Sequence, residues 1–413
     1  MRRGGGLIAN SRLRSLDLIR GIAVLGILAV NIASFAAPTS SSYSPNLPLA
    51  ASNFDTWAFG FTLVVFEGKM RALFSILFGA SLLLYIERKD LSGQEGALLQ
   101  IRRLLWLLVF GFLHFALLWD GDILFLYAAI GLAALLFRHL PARQLLTIAL
   151  AVFSLWQAKG IVDWIPSAVR EARVAAGNAS IAERIEHTRY VTNNRKADGD
   201  DLQATRSGFA VSALNRVVLH GDTPVSMVIY NWGETLGYIL LGMALLRSGF
   251  FAGDWPIRRV AGMAVAGLAL GLVPTLGFAA WAHPRGYPEL AMHLALGYGL
   301  SMPHLLMALG YAALLVLAAP RLLASWLGQR LEAAGTMAFS NYLGTTVVMS
   351  AIFSGWGLGL FGQYGAAGQW LFVWLGWALL LGWSQPWLAR FRQGPLEWLW
   401  RCLTEWKRLP LRR

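Results

Sequence analysis

Three charged side chains open one of the long apolar segments of the chain, in the sequence Glu67-Gly68-Lys69-Met70-Arg71. A charged side chain at the centre of a membrane helix costs at least about 2.5–3.5 kcal/mol, so such groups face partners or water and are usually functional. Glu67 and Arg71 are spaced to pair along a helix, whereas Lys69 points elsewhere and could meet an anionic ligand. We therefore predict that all three face a hydrated cavity. The alternative is an interfacial helix start whose long side chains reach the lipid headgroups.

A histidine and two aspartates form a second group, with His114 near the end of one apolar segment and Asp120 and Asp122 before the next. The short connection predicts a tight helical hairpin that brings His114 close to Asp122. A carboxylate orients an imidazole and raises its basicity, which general-base catalysis requires. The alternative is a structural role, in which the aspartate caps a helix and the histidine packs in the core.

Other polar residues occur within or beside the apolar segments. Asp17 and Arg20 flank the start of the first segment, where they could bind a ligand or form a juxtamembrane ion pair. The remaining candidates are Asn31, Glu234, His293, His304 and Asn341. We assign Asp17, Arg20, Asn31, Glu234 and Asn341 to substrate binding, although hydrogen bonding between helices is the commoner role of such residues. Neither paired-cysteine nor HExxH spacing occurs, so no metal site is predicted.

The composition around these residues is that of a membrane protein. Of the 413 residues, 56% are hydrophobic and 14% are charged, whereas soluble domains carry about 25% charged residues. A membrane helix needs about 20 apolar residues. Ten such segments are predicted, at residues 19–37, 66–86, 103–119, 123–137, 144–164, 228–247, 258–282, 291–318, 336–354 and 366–385. The predicted fold class is therefore all-α, a polytopic membrane bundle of about ten transmembrane helices.

The positions of arginine and lysine predict the orientation of this bundle. Alternate connections hold 23 of the 35 basic residues, in the ranges 2–20, 88–103, 138–143, 247–259, 321–330 and 390–413, and most of the others lie in the long polar segment 166–224. The short connections between these ranges hold almost none, Arg285 being the clear case. Short cytoplasmic loops are enriched in lysine and arginine, so both termini are predicted to be cytoplasmic. The net charge of +13 is then a topology signal, and no nucleic-acid partner is expected.

Four regions follow from this pattern. Residues 1–165 form an N-terminal half-bundle and residues 225–386 a C-terminal one, each with about five spans. Between them, residues 166–224 form a polar segment outside the cytoplasm, which the sequence allows as a small helical cap or as a flexible linker. Residues 387–413 form a basic tail in which Pro395 can start an amphipathic helix. We expect that helix to lie on the cytoplasmic leaflet as an anchor.

Five motifs spread along the whole chain carry a family resemblance. They are Ser15-Leu16-Asp17 with Arg20-Gly21-Ile22-Ala23, then Gly68-Lys69-Met70-Arg71, His114 with Gly121-Asp122-Ile123-Leu124, Ser340-Asn341-Tyr342-Leu343, and Gly394-Pro395-Leu396-Glu397-Trp398. Together they resemble the YeiB-like family of bacterial inner-membrane proteins, which carries a domain of unknown function (DUF418). The resemblance implies a multi-pass protein of the bacterial inner membrane.

More distantly, the pattern Leu-Asp-x-x-Arg-Gly-x-Ala at residues 16–23 is similar to that of transmembrane acyltransferases of the heparan-glucosaminide acetyltransferase type. This similarity implies transfer of an acyl group from cytoplasmic acyl-CoA to an acceptor across the membrane. Related O-acyltransferases have a histidine where this chain has Asn31, which leaves His114 as the candidate base, oriented by Asp122. Lys69 or Arg71 would stabilise the oxyanion beside Glu67, and Arg20 would meet the phosphate of the donor.

The sequence therefore favours a membrane-embedded acyltransferase acting on an envelope glycan, a lipid or a small molecule. Acyl-CoA is the expected co-substrate, with no tightly bound cofactor. A transporter or flippase, in which the buried charges line the substrate path, is the alternative from another class, and a non-catalytic scaffold is a third. Membrane lipids are the expected partners, and a homodimer is compatible with the sequence.

Overall fold

The computed structural model describes residues 3–48 and 50–413, with side chains from residue 14 onward, so Arg2 of the basic pattern lies outside the described residues. The helices are α1 (Arg3–Ala36), α2 (Asn53–Val65), α3 (Lys69–Leu91), α4 (Gly96–Leu117), α5 (Leu124–Ala134), α6 (Ala142–Ala175), α7 (Ile181–Thr205), α8 (Phe209–His220), α9 (Thr223–Arg247), α10 (Ile257–Ala282), α11 (Glu289–Leu294), α12 (Ser301–Leu322), α13 (Trp326–Thr336), α14 (Ala338–Phe353), α15 (Ala366–Arg390) and α16 (Pro395–Glu405). Within the described ranges the only β-structure is an isolated bridge between Phe391 and Arg412. The predicted all-α class is confirmed.

Each of the ten predicted apolar segments falls mostly on helix, with turns at residues 66–68, at Leu300 and at Met337. Among the described residues, seven helical stretches are long and apolar enough to cross a membrane, namely Arg14–Ala36, Asn53–Leu91 (α2 with α3), Gly96–Leu117, Ala142–Ala175, Ile257–Arg285, Ser301–Leu322 and Ala366–Arg390. Two further predicted segments fall on the shorter apolar helices Leu124–Phe137 and Ala338–Phe353. The tenth falls on α9, which has 25 residues but carries Asn231 and Glu234. The chain is thus a membrane helical bundle, and the count of ten spans stays a prediction.

The connections between helices gather at two ends of the bundle. At one end, which we call the basic end, Trp400 of α16 donates its indole N–H to Arg103 O, and Lys89 pairs with Glu405 at 3.2 Å. At the other, the cap end, α7 meets the turn at residues 39–42 that follows α1, and Arg216 of α8 donates to Leu117 O at the close of α4. The predicted cytoplasmic connections lie at the basic end. Its placement in the cytoplasm stays a prediction.

Small residues let the central helices approach backbone to backbone. Gly21 of α1 packs on α13 at Gly335, and a Cβ on either glycine would overlap the facing backbone. Gly79 of α3 and Gly242 of α9 form a second such contact. Glycine at helix crossings is the usual way in which membrane helices pack closely, because lipid supplies little hydrophobic drive between them. The close contact between α3 and α9 therefore fixes the position of the charged residues at the start of α3.

The polar segment 166–224 is largely helical in this structure. It contains the end of α6, all of α7 and all of α8. Asp198 of α7 accepts a hydrogen bond from Ser40 Oγ at 2.8 Å, and Tyr190 donates its hydroxyl to Glu289 at 2.9 Å. These helices and contacts agree with a small helical cap, one of the two alternatives that the sequence left open.

The basic tail forms α16 as predicted, but its apolar face meets the protein. Leu396 and Trp400 pack against a buried cluster that includes Phe339 and Tyr342. Glu397 accepts hydrogen bonds from the backbone N–H groups of Phe339 and Ser340, at 2.8 and 3.0 Å, and so caps α14. The expectation that this face rests on the lipid leaflet is therefore wrong for these two side chains. The predicted apolar face of α16 is present, but it packs against the helical bundle.

Candidate functional site

The charged cluster predicted from the sequence lies at a break between two helices. α2 ends at Val65 and α3 begins at Lys69, with Phe66, Glu67 and Gly68 between them. Gly68 has φ of 72°, in the left-handed region that favours glycine, and a Cβ there would overlap the imidazole of His304. The break is therefore specified both by backbone conformation and by packing.

Contacts around Phe66 place this break halfway along the bundle. The ring of Phe66 lies 6.1 Å from that of Trp377, and Trp377 donates its indole N–H to Leu25 O at 2.8 Å. Leu25 is near the midpoint of the apolar part of α1, and Trp377 is near the midpoint of α15. An interrupted helix at such a depth requires that its freed backbone groups be satisfied by protein or by a water-filled cavity.

A cavity of about 400 Å³ leads from the cap end to this break. Asn31 of α1, Glu67 and Arg71 line it, together with Tyr43, Gln369 and Trp370. The prediction that charged residues of the cluster face a cavity is thus met for Glu67 and Arg71, and Asn31 joins them. We call this space the cap-end cavity.

Of the two charged residues of the cluster that line this cavity, only Arg71 has an ion-pair partner among the described residues. Arg71 pairs with Glu234 of α9 at 2.9 Å, and Tyr238 donates its hydroxyl to the same carboxylate at 2.8 Å. Glu67 forms no ion pair with the part of the chain that the structure describes. The expected pairing of Glu67 with Arg71 along one helix is wrong, because the helix starts only at Lys69. The cavity consequently has an unpaired carboxylate on its wall.

Lys69 does not line the cap-end cavity. Its side chain is 0% exposed, and its ammonium group donates to Leu63 O in the last turn of α2 at 2.6 Å. Tyr311 donates to Val65 O of the same turn. Both side chains satisfy carbonyls that the end of α2 leaves without helical partners. The expectation that Lys69 faces a hydrated cavity is wrong, and its visible contact is structural.

A second cavity, of about 210 Å³, lies toward the basic end, and we call it the basic-end cavity. Its polar lining comes from Arg20, Ser81, Gln100, Arg103 and Glu397. Its apolar lining includes Phe74, Phe78, Leu107, Leu124, Tyr127 and Trp400. Arg20 donates to Asp17 at 2.5 Å and to Ser81 Oγ at 2.9 Å, which fixes its guanidinium at the wall. Asp17 and Arg20 therefore form the ion pair that the sequence allowed, and Arg20 also faces a cavity.

The two cavities come within one helical turn of each other along α3. Arg71 lines the cap-end cavity and Phe74 the basic-end cavity. Between them, Ser75 Oγ lies 2.8 Å from the hydroxyl of Tyr127, which lines the basic-end cavity, and 2.8 Å from Arg71 O. One turn of an α-helix rises about 5.4 Å. Arg71 and Phe74, within one turn of each other on α3, thus belong to the walls of different cavities, and we call the hydrogen-bonded side chains beside them the layer around Ser75.

His114 and Asp122 form the predicted contact, with Nδ1 2.7 Å from Asp122 Oδ1. The other ring nitrogen lies 3.1 Å from Thr346 Oγ1 of α14, and Asp122 Oδ2 accepts the backbone N–H of Phe125 at the start of α5. His114 is 2% exposed and lines neither of the two cavities. The geometry matches a capping aspartate and a packed histidine that joins α4, α5 and α14, and the role of His114 as a base stays a prediction.

Asn341 lies apart from both cavities. Its side-chain amide donates to Ala334 O at 2.9 Å and to Ser384 Oγ at 3.1 Å, and its oxygen accepts the indole N–H of Trp383. These bonds join α13, α14 and α15, the interhelical role that such residues commonly have. Within the described parts of the chain, no group of three or more histidine, cysteine, aspartate or glutamate side chains is placed to hold a metal ion.

Several residues of the site were not singled out from the sequence. Tyr127 and Arg103 line the basic-end cavity, but in the sequence they resemble an ordinary core aromatic and an ordinary juxtamembrane arginine. His304 was named only as a polar group in a span, yet it supports Gly68 and leaves its Nε2 without a hydrogen bond among the described residues. Only the fold brings these three side chains to the break and the cavities.

Comparison with known proteins agrees with this architecture. The profile of the family described as "Protein of unknown function (DUF418)" matches residues 245–407. The Escherichia coli (strain K12) protein described as "Uncharacterized protein YeiB" is 30% identical over 394 residues, covering 94% of this chain and 95% of that protein. The Bacillus subtilis (strain 168) protein described as "Uncharacterized protein YxaH" is 29% identical, covering 96% and 95%. No solved structure matches the chain. The chain therefore belongs to the YeiB-like family of bacterial membrane proteins, which carries the DUF418 domain.

Proposed function

We propose that the protein is a membrane-embedded acyltransferase of the bacterial inner membrane. The observation that carries the proposal is the pair of cavities that approach from opposite ends of the bundle to within one turn of α3. The basic end collects the arginine-rich connections, so the positive-inside rule assigns it to the cytoplasm. The donor then enters the basic-end cavity and the acceptor enters the cap-end cavity.

Each cavity suits one of the two substrates. A space of about 210 Å³ is below the usual 300–1,000 Å³ of ligand pockets, so it admits a short acyl group and its thioester rather than a whole acyl-CoA. The space of about 400 Å³ at the cap end lies within that range. Its wall carries the unpaired carboxylate of Glu67, which can accept the proton of an acceptor hydroxyl. Asn31 and Gln369 add amide groups that can orient a polar acceptor, such as an envelope glycan or a small hydroxylated molecule.

The chemistry takes place at the layer around Ser75. Glu67 takes the proton of the acceptor hydroxyl as the oxygen attacks the thioester carbonyl carbon. A carbon–oxygen bond forms, the carbon–sulfur bond breaks, and the thiolate leaves toward the basic end, where it takes a proton from water. A positioned base contributes about 10²–10⁴-fold to such a step. Passage of the thioester requires movement of the Tyr127 ring, which is buried against Phe74 and Phe78; among the described residues its hydroxyl is bonded to Ser75 alone.

In this proposal His114 and Asp122 position Tyr342. The imidazole ring of His114 lies 5.3 Å from the ring of Tyr342, which lines the basic-end cavity. We rank Glu67 above His114 as the base because it lines a cavity and has no ion-pair partner among the described residues. Arg71 holds Glu234 and keeps a positive charge beside the attacked carbonyl, where a water-poor site makes it effective.

The test is a sided transfer assay with protein reconstituted in vesicles of known orientation. Acetyl-CoA labelled in the acyl group is given to the basic-end face, and small sugars or envelope glycan fragments are given to the other face. We expect covalent label in the acceptor and release of free CoA thiol on the donor side only. Neither product with acetyl, butyryl or octanoyl donors would contradict the proposal.

The alternative of a transporter is favoured by one observation, the interrupted helix at Glu67–Gly68, since broken helices at mid-membrane line the substrate sites of many transporters. The same vesicles distinguish the two functions. A transporter moves a solute into the lumen without forming a covalent product and releases no CoA thiol. That result with an added sugar or metabolite would replace the enzyme hypothesis.

A further inference from the structure

We propose that Arg103 and Gln100 form an anion subsite at the mouth of the basic-end cavity, that this subsite binds a phosphate group of an amphiphilic ligand, and that α16 holds it in shape. The inference rests on the proposed function only for the identity of the ligand. The subsite itself is argued from the contacts of Arg103.

Arg103 has a guanidinium group that pairs with no acidic side chain of the described residues. It lines the basic-end cavity, and its side chain makes one hydrogen bond to the described residues, from Nη1 to Gln100 Oε1 at 3.3 Å. A guanidinium carries five N–H donors and binds phosphate through two of them at once. A cation inside a protein without a counter-ion is costly, so a site of this kind is completed by an anion.

The orientation of this guanidinium is fixed by two aromatic rings. The Arg103 guanidinium carbon lies 4.1 Å from the centroid of the Tyr85 ring and 4.2 Å from that of Trp400. Trp400 also donates its indole N–H to Arg103 O at 2.8 Å, which ties α16 to α4. Stacking occupies the flat faces of the group and leaves its edge, where the N–H donors are, for a ligand.

The other charged side chains that line the cavity, Arg20 and Glu397, have partners of their own. Arg20 is neutralised by Asp17, and the carboxylate of Glu397 is occupied in capping α14. Gln100 is 3% exposed and its amide oxygen accepts from Arg103, so its NH₂ group can donate to the same anion. Beyond the mouth the lining is apolar, with Phe74, Phe78 and Leu107 among its residues. A ligand with an anionic phosphate head and an apolar tail fits this arrangement.

Two kinds of molecule combine a phosphate group with an apolar tail, namely a soluble acyl thioester donor and an anionic phospholipid. The first probe is coenzyme A, titrated by calorimetry into the full chain in nanodiscs of phosphatidylcholine with no acceptor present. The second is phosphatidylglycerol, scored as lipid retained by native mass spectrometry from mixed nanodiscs. The variants are Arg103→Gln, Gln100→Leu and, as matched control, Arg102→Gln, the neighbouring arginine that lines neither cavity. Trp400→Leu tests the contribution of α16.

We expect Arg103→Gln to weaken coenzyme A binding about 10- to 100-fold, the loss of one charged hydrogen-bonding group, while Arg102→Gln stays within about twofold. Gln100→Leu should show a smaller loss, which keeps the test valid if Arg103→Gln does not fold. Trp400→Leu should weaken binding severalfold with Arg103 still present.

The possible results separate this inference from the proposed function. Coenzyme A binding that depends on Arg103 supports the subsite even if no transfer is ever detected. Retention of phosphatidylglycerol that depends on Arg103, without coenzyme A binding, supports the subsite and contradicts the acyl-CoA donor. The inference is overturned if Arg103→Gln and Gln100→Leu change neither the binding of coenzyme A nor the retention of phosphatidylglycerol. It is also overturned if Arg102→Gln has the same effect as Arg103→Gln.

Discussion

The cap-end and basic-end cavities are built from different parts of the chain. The cap-end cavity is bounded by the loop at residues 37–51, by the break at Glu67 and by the start of α15. The basic-end cavity is bounded by α3 and α4, by the junction between α13 and α14, and by α16. Glu67, a carboxylate without an ion pair among the described residues, lines the first cavity, and Arg103, a guanidinium without one, lines the second. In the proposed function, proton transfer and acceptor recognition are located at the break between α2 and α3, and anion and tail binding at the side of the bundle that α4 and α16 form.

The largest expected effect tests the cap-end side of this comparison. Glu67→Gln should lower the transfer rate about 10²–10⁴-fold, because it removes the proposed base and leaves the shape of the cavity unchanged. Its thermal unfolding temperature in detergent should stay near that of the wild type, since Glu67 forms no ion pair among the described residues.

Asp55→Asn is the matched control for Glu67→Gln, because Asp55 lines the same cavity but caps helices. Its carboxylate accepts the N–H groups of Ser52 and Ala367 at 3.0 and 2.9 Å. This variant should lose about 0.5–2 kcal/mol of stability and keep most of its catalytic rate per folded molecule. Equal transfer by Glu67→Gln and wild type would remove Glu67 from the mechanism.

The second prediction concerns the ion pair between α3 and α9. Arg71→Met should cost about 3 kcal/mol of unfolding free energy, the lower end for a broken buried pair, since Glu234 is buried and Arg71 is about a third exposed. The double variant Arg71→Met/Glu234→Gln should lose less, because no uncompensated carboxylate remains. Chemical unfolding in detergent measures both. A double variant as unstable as the sum of its single variants would show that the pair is not coupled.

The third prediction separates His114 from Glu67. His114→Ala removes the partners of Asp122 and Thr346 and should lower stability by about 1–3 kcal/mol, with a catalytic loss well below that of Glu67→Gln. Transfer rates corrected for the folded fraction, from fluorescence-detected size exclusion, measure this difference. Loss of transfer with full stability would identify His114 as the base and reverse the ranking of the two residues.

The smallest expected effect concerns the helical cap above the cap-end cavity. Burial raises the pKa of Asp198 and of Asp201 on α7, and the nearby carboxylates of Glu289 and Asp120 act in the same direction. A group that binds its proton more tightly when docked adds stability below its ordinary pKa, about 3.9 for aspartate, and loses it as the pH rises through the raised value.

Amide hydrogen exchange of α7, corrected for intrinsic rates, should therefore slow by about two- to fivefold from pH 6 to pH 4. Asp201→Asn should reduce that difference. Faster corrected exchange at pH 4 would contradict the expected sign.

The bundle was predictable from the sequence because lipid imposes a simple rule on it. Each span needs a long apolar run with its backbone satisfied internally, so all ten predicted segments fall on helix. The contact between His114 and Asp122 was predictable for a similar reason, because the short connection of residues 118–123 confines it. Arg71 was different. Its partner Glu234 is 163 positions away in the chain, and the expected pairing with Glu67 failed because Gly68, supported by His304, interrupts the helix.

The pairing of Arg103 with Trp400 could not be predicted from either segment alone. The apolar face of α16 has the spacing of a membrane-surface helix, and periodicity does not say whether lipid or protein covers such a face. In the structure, protein covers this face, and the hydrogen bonds of the Trp400 indole and the Glu397 carboxylate attach α16 to α4 and α14. Sequence reasoning thus identified which residues are costly to bury, and the fold determined which of them are paired.

The cap that Glu397 places on α14 has a consequence for the biogenesis of the protein. The N–H groups of Phe339 and Ser340 receive their acceptor from a residue more than fifty positions later, after the whole of α15. α14 has only 16 residues, fewer than the roughly 20 that span a membrane unaided. During synthesis it therefore reaches the translocon with its leading turn unsatisfied, and we expect α14 to remain at the protein-conducting channel until α15 has crossed and α16 has folded back against it.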